Sequence, residues 1–260
     1  MAVSFDDSVR FSELCAQELG VIREKAADQG IGTFSEKRMH RILKRFVLDV
    51  PSCHEVKIGG KYIADVASGN DIWEIQTGSL YPLSNKIAYY LANTEAHVTV
   101  VHPVPAKKYL VWIDPCSGDV TRRHASTKKP GVQSVLPEMV YLSDMLHSGR
   151  ISVRLIFIEE EEYRFLDGVG QSRKKHSSRY ERLPVALLDD ITVDLPSGAG
   201  IWLPADLPSP FTASEFGKVS KLTGRDIYKG LIVLEQTGWI LRAGKRGRAQ
   251  EWEKTDKFRL

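Results

Sequence analysis

Asp65, Glu74 and Gln76 fall within Lys61 to Thr77, KYIADVASGNDIWEIQT, and their spacing is the chain's clearest signal for chemistry. The run alternates and is rich in β-branched and aromatic residues on both sides of Gly69-Asn70, which predicts a tight β-hairpin. With Ser68 and Asp71 flanking the turn, Asp65 opposes Glu74 and Ile63 opposes Gln76. Directly opposed residues share a face, with Cβ atoms about 5 Å apart. Two carboxylates at that distance repel one another, and a bound divalent cation reverses the sign of that interaction. Trp73 and Ile75 fill one face while Ile63, Val66 and Ile72 make the strands apolar on both sides. A sheet covered on both faces does not hold an acid pair in its middle unless something binds it. On the competing reading, Asp65, Asn70 and Asp71 are turn-flanking polar groups and Glu74 is a solvated strand residue.

Phosphodiester cleavage is the chemistry such a pair suits, since it needs a cation to offset charge on the phosphate and to lower the pKa of a water. Magnesium takes oxygen ligands, usually one or two carboxylates plus waters and a phosphate oxygen. Gln76 lies two residues beyond Glu74 and so on the same strand face; its amide can orient a water but carries no charge.

The surrounding elements read as a scaffold for that hairpin. Residues 8 to 28 predict a helix through Phe11, Leu14, Cys15, Leu19, Ile22 and Ala26, broken at Gly30-Ile31-Gly32. Thr33 to Glu36 has capping-box spacing and opens a second helix with a stripe of Met39, Ile42, Leu43, Phe46 and Val47, ending before Pro51. Strands follow at 54 to 58, 61 to 67 and 71 to 77, then a helix at 83 to 93 and apolar runs at 97 to 101 and 108 to 113. The order α, β, β, β, α, β predicts an α/β sandwich around a mixed sheet flanked by helices. Residues 117 to 134 read as a polar, basic loop, 135 to 147 as a helix and 151 to 158 as a further strand ahead of the acidic run Glu159 to Glu162.

Arg173, Lys174, Lys175, Arg179 and Arg182 crowd a segment that reads as a linker, dividing the chain into 1–170, a basic linker at 171–182 and a tail at 183–260. In the tail, Phe211 to Phe216 opens one short helix and RDIYKGLIVLEQTG, after Gly224, a second; two strands then flank the basic turn AGKRGR. Helix, turn, helix and a basic two-stranded wing outline a winged helix. Its cations outnumber its acids, which favours DNA: Arg225 and Lys229 on the second helix would face the major groove, and Lys245, Arg246 and Arg248 of the wing would meet phosphates.

The acidic helix, Asp65, eight intervening residues and Glu74-Ile75-Gln76 together resemble the PD-(D/E)XK, or restriction-endonuclease-like, nuclease superfamily, over roughly residues 33 to 115. The resemblance implies an α/β core in which Asp65 and Glu74 hold magnesium or manganese for hydrolysis of DNA. It also implies that Glu36 assists from the helix, and that Lys86, on the helix after the hairpin, stands in for the family's usual third-position lysine. That lysine is replaced by Gln76, a departure some restriction endonucleases share, and no proline precedes Asp65.

Composition sets the remaining bounds. At 260 residues with 42% hydrophobic content the chain can bury a substantial core, and a net charge of +3 does not by itself announce nucleic acid. Cys15, Cys53 and Cys116 form no CxxC pair, which argues against a disulfide frame or a zinc site and for a cytoplasmic protein. The acidic start and the lack of a long apolar run argue against export and membrane insertion. Neither phosphate-binding glycine motif is present. His54, opposite Asp65 if Gly59-Gly60 sets the register, reads as a structural histidine.

The expectation is a metal-dependent DNA endonuclease acting on duplex DNA, with dimerisation as a way of cutting two strands. The alternatives are a catalytically inactive nuclease-like regulator that binds DNA, and a protein-interaction scaffold.

Overall fold

A computed structural model describes residues 3–26, 35–114, 119–165 and 178–259. The chain divides into two compact units, one built from 1–54, 103–129 and 156–191, the other from 55–102, 130–155 and 192–260. In chain order the elements of the α/β part are α1 (Phe5–Ala26), α2 (Ser35–Val47), β1 (His54–Ile58), β2 (Tyr62–Ser68), β3 (Asp71–Ile75), α3 (Ser84–Asn93), β4 (His97–Ile113), β5 (Val120–Ala125), β6 (Ile151–Phe165) and β7 (Ser178–Leu195). They form a mixed sheet of order β1-β2-β3-β4-β6-β7, with β5 paired to β4.

In the first unit α1 packs on α2 through the expected apolar positions. Phe11, Leu14 and Cys15 are buried, as are Met39, Ile42, Leu43 and Phe46, and the Phe11 and Phe46 rings meet edge-on at 5.0 Å. The Gly30 to Gly32 break and Thr33-Phe34 of the expected capping box lie outside the described residues. Residues 120–125, expected in a loop, are a strand antiparallel to β4. Its basic, largely exposed side chains lack the apolar alternation by which a strand is read. The acidic run belongs to β6 instead of following it.

In the second unit β2 and β3 are antiparallel, and β3 runs parallel to β4 from Asp71↔His97 to Ile75↔Val101, so α3 is the crossover between parallel strands. The two apolar runs around Pro103 and Pro105 are one strand, since proline's fixed φ suits extended backbone even where its missing N–H costs a ladder bond. The helix expected near 135 to 147 is a run of 3-10 turns over Leu136–Ser148.

The strand β7 places residues 178–182 of the expected linker, and the first part of the expected tail, in the sheet; Arg173, Lys174 and Lys175 lie outside the described residues. The C-terminal elements are β8 (Phe211–Thr212), α4 (Ala213–Ser220), α5 (Arg225–Gln236), β9 (Ile240–Arg246) and β10 (Ala249–Lys254), with a sheet of order β8-β10-β9. Thr212 and Glu215 form a reciprocal capping box for α4. The basic stretch expected as a turn mostly belongs to β9, because Arg246 pairs directly with Ala249. Gly230 lets α5 approach the Leu136–Ser148 segment closely, since a Cβ there would lie 2.9 Å from Leu136 Cδ2. Hairpin and C-terminal elements therefore belong to one compact unit.

Candidate functional site

The hairpin has the expected register, Val66↔Trp73, Ala67↔Ile72 and Ser68↔Asp71. Gly69 makes the turn at φ +58°, a region that a residue with a Cβ rarely adopts. The ladder stops at Val66↔Trp73, and beyond it the Asp65 side chain takes over: its Oδ2 accepts the Ile75 N–H at 2.8 Å. Asp65 is thereby held against β3 beside Glu74. Ile63, expected to fill a face, is 56% exposed, and β3 ends before Gln76.

Glu74 is only 1% exposed. Its two carboxylate oxygens receive Lys86 Nζ at 2.6 Å and the Tyr90 hydroxyl at 2.9 Å. Lys86 and Tyr90 stand four residues apart on α3 and so share a helix face, which the crossover aims at the strand. Tyr62 and Tyr89 pack edge-on with each other at 5.3 Å and each against Tyr90, and Tyr89 donates to the Gly59 carbonyl at 2.7 Å. Burial, and then the charge of Asp65, push the Glu74 carboxyl up to about 7, and Lys86 and Tyr90 only partly offset them. Burial followed by the neighbouring Glu74 raises the Tyr90 phenol, so Tyr90 remains a donor.

Gln76 is placed differently from its expected role. Its amide donates to the Ser79 carbonyl at 2.6 Å, its N–H to Val101 at 2.9 Å, and its carbonyl accepts from His102 Nδ1 at 2.7 Å. Burial lowers the His102 pKa, partly offset by its hydrogen bond with the Gln76 carbonyl. Glu138 accepts from the Ser79 hydroxyl at 2.8 Å and the Leu80 N–H at 2.9 Å, tying down the same loop. His102 and Glu138 had no signal in the sequence, because neither stands at a motif spacing from the residues it serves.

Glu36 lies on α2, but its side chain is outside the described residues. His54 Nε2 lies 2.6 Å from the Leu48 carbonyl, the structural contact expected of it. Of the C-terminal cations, Arg225, Lys245, Arg246 and Arg248 are exposed. Lys229 instead sits 3.2 Å from the Tyr141 hydroxyl, and Arg246 pairs with Glu215 at 2.7 Å and Glu251 at 2.6 Å. Part of the positive charge counted along the sequence is thus paired with groups of the protein itself.

The donors at the hairpin suit one kind of cation. Among the described residues no group of three or more histidines, cysteines or acids could cage a metal. Two carboxylates on adjoining strands match magnesium, which keeps most of its waters, and not zinc or a calcium cage. Among the described residues, no helix is long and apolar enough to cross a membrane.

No solved structure matches the chain. An uncharacterized protein of Treponema pallidum (strain Nichols) is 26% identical over 226 residues, covering 86% of this chain and 87% of that one. The family described as "Domain of unknown function (DUF8091)" matches residues 37–194, a stretch that contains Asp65, Glu74, Gln76 and Lys86 and ends before α4. The chain belongs to that family.

Proposed function

We propose that the protein is a metal-dependent DNA endonuclease with a restriction-endonuclease-like core, in which Asp65 and Glu74 bind magnesium or manganese. The observation that carries the reading is the hairpin and its crossover helix, which hold Asp65 against β3 beside Glu74 and bring Lys86 to Glu74 at 2.6 Å. The α-β-β-β-α-β order, with an antiparallel β2/β3 pair and a parallel β3/β4 pair, supports the same core.

When bound, the ion would supply Lewis-acid stabilisation of the phosphate and a lowered pKa for an attacking water. The chain's own residues do the rest. Asp65 and Glu74 present oxygens from two strands, Lys86 keeps a positive charge at the pair, and Tyr90 fixes the Glu74 rotamer. The loop at Gln76 closes the end of the strand, with its amide turned to Ser79. Lys86 takes the place of the absent third-position lysine. The C-terminal elements support a winged helix, with α4, a turn, α5 and a β8-β10-β9 sheet, and Arg225, Lys245 and Arg248 as its exposed cations for DNA.

A second reading, an inactive nuclease-like DNA-binding regulator, is favoured by one observation, the commitment of the Gln76 amide to a backbone carbonyl. Incubation with supercoiled plasmid in Mg²⁺ or Mn²⁺ separates the two. Nicking that Asp65→Ala and Glu74→Ala each abolish supports the nuclease, whereas plasmid binding with no nicking supports the regulator.

A further inference from the structure

Two tyrosines and a lysine form a platform beside the connection from Glu74 to Lys86. Tyr81 opens the turn that leads into α3, and its ring is 66% exposed. It meets Tyr141 edge to face, with centroids 5.5 Å apart and planes at 71°. Lys229 on α5 lies 5.0 Å from the Tyr141 ring centre as well as against its hydroxyl. One helical turn earlier on the same face of α5 stands the exposed Arg225. Asp226 is the one acid in the first turn of that helix.

The platform is held in place by the loop already described. The Tyr81 N–H reaches the Ser79 hydroxyl at 3.3 Å, Ser79 donates to Glu138, and Glu138 belongs to the same run of 3-10 turns as Tyr141. Three residues of the platform thus come from three separate segments of one unit. Packing alone does not call for a large aromatic ring left two-thirds in solvent. An exposed ring braced by a second ring, with one cation against that second ring and another one helical turn along α5, has the composition of a surface on which a nucleobase stacks while its phosphate is neutralised.

We infer that Tyr81, braced by Tyr141 and Lys229, stacks on an unpaired nucleobase, so that the substrate is DNA with single-stranded or frayed character near the cut and not a fully paired duplex. The inference rests on the nuclease reading for its substrate and adds the strand form and the residue that selects it. Tyr81 acts as a specificity residue, outside the Asp65 and Glu74 pair.

Fluorescence anisotropy on the full chain in Ca²⁺ tests it, with a labelled single strand, a duplex carrying unpaired terminal nucleotides and a duplex closed by hairpins at both ends. Tyr81→Ala is expected to weaken binding of the first two roughly tenfold, to leave the closed duplex unchanged, and to abolish quenching of a 2-aminopurine placed at the unpaired position. Tyr81→Trp should restore both readouts. Unchanged binding and quenching in Tyr81→Ala overturn the inference. If plasmid nicking then still depends on Asp65 and Glu74, the nuclease reading survives alone. No binding to any of the three DNAs overturns both.

Discussion

Glu74 and Glu162 are both 1% exposed, yet their carboxyls move in opposite directions. Burial pushes each one up. At Glu162 the pressure is reversed by Lys108 at 2.5 Å and by Arg164, and the pKa ends below the ordinary value. At Glu74 burial is reinforced by Asp65, and Lys86 with Tyr90 leaves the group at about 7. Both carboxylates are shut off from solvent, Glu74 the more deeply, and one ends as a settled ion pair while the other is left under-compensated. The same fold neutralises one buried glutamate with two cations and the other with one, and Glu74 is where the proposed metal would add its charge.

The comparison breaks most visibly in catalysis. Asp65→Ala or Glu74→Ala should lower metal-dependent nicking by at least about a hundredfold, because each removes a ligand from a contribution worth several kcal/mol, while Glu162→Ala should leave the rate of the folded protein intact. Stability should show the reverse order. Glu162→Ala takes away the partner of Arg164 and leaves Lys108 to Glu160 at 2.8 Å, and should cost on the order of 3 kcal/mol by urea denaturation, whereas Glu74→Gln keeps a partner for Tyr90 and should cost much less.

A pH series sharpens the contrast. Glu74 titrates at about 7 in the fold against an ordinary 4.5, so the folded protein binds the extra proton between those values. Its contribution to stability should fall as pH rises through that window, by up to about 3 kcal/mol, and stay level above it. Glu74→Gln should flatten that part of the curve. Glu162 has the opposite sign: its folded pKa is depressed, so its contribution is present above the ordinary carboxylate range and lost as pH falls below it. Lys86→Ala removes the cation placed at the pair and one of the groups holding Glu74 down, so it should lower nicking as well as move the midpoint of its pH profile upward.

The acid pair was legible from the sequence because it depends on local rules. Gly69-Asn70 fixes a two-residue turn and the turn fixes the register as far as Val66↔Trp73, from where the Asp65 side chain reaches the Ile75 N–H beside Glu74. The helix stripes and the α-β-β-β-α-β order follow from periodicity of the same short range. Lys86 was legible only through the family resemblance, not through periodicity or spacing. What the sequence hid depends on contacts between distant segments. The Gln76 amide is turned away by Ser79 in a loop pinned by Glu138, and Arg246 is neutralised by Glu215 and Glu251. A charge tally sees all of these cations as available. The strand β5 escaped because its composition is that of a basic loop, and the linker's last residues because the strand β7 begins among them.

A carboxyl-detected ¹³C NMR titration reads directly whether a cation completes the Asp65 and Glu74 pair. Without metal, Glu74 should titrate at about 7; in millimolar Mg²⁺ its midpoint should drop below the ordinary carboxylate value, and the Asp65 signal should shift with it. A midpoint that stays where it was at saturating Mg²⁺ would contradict the account.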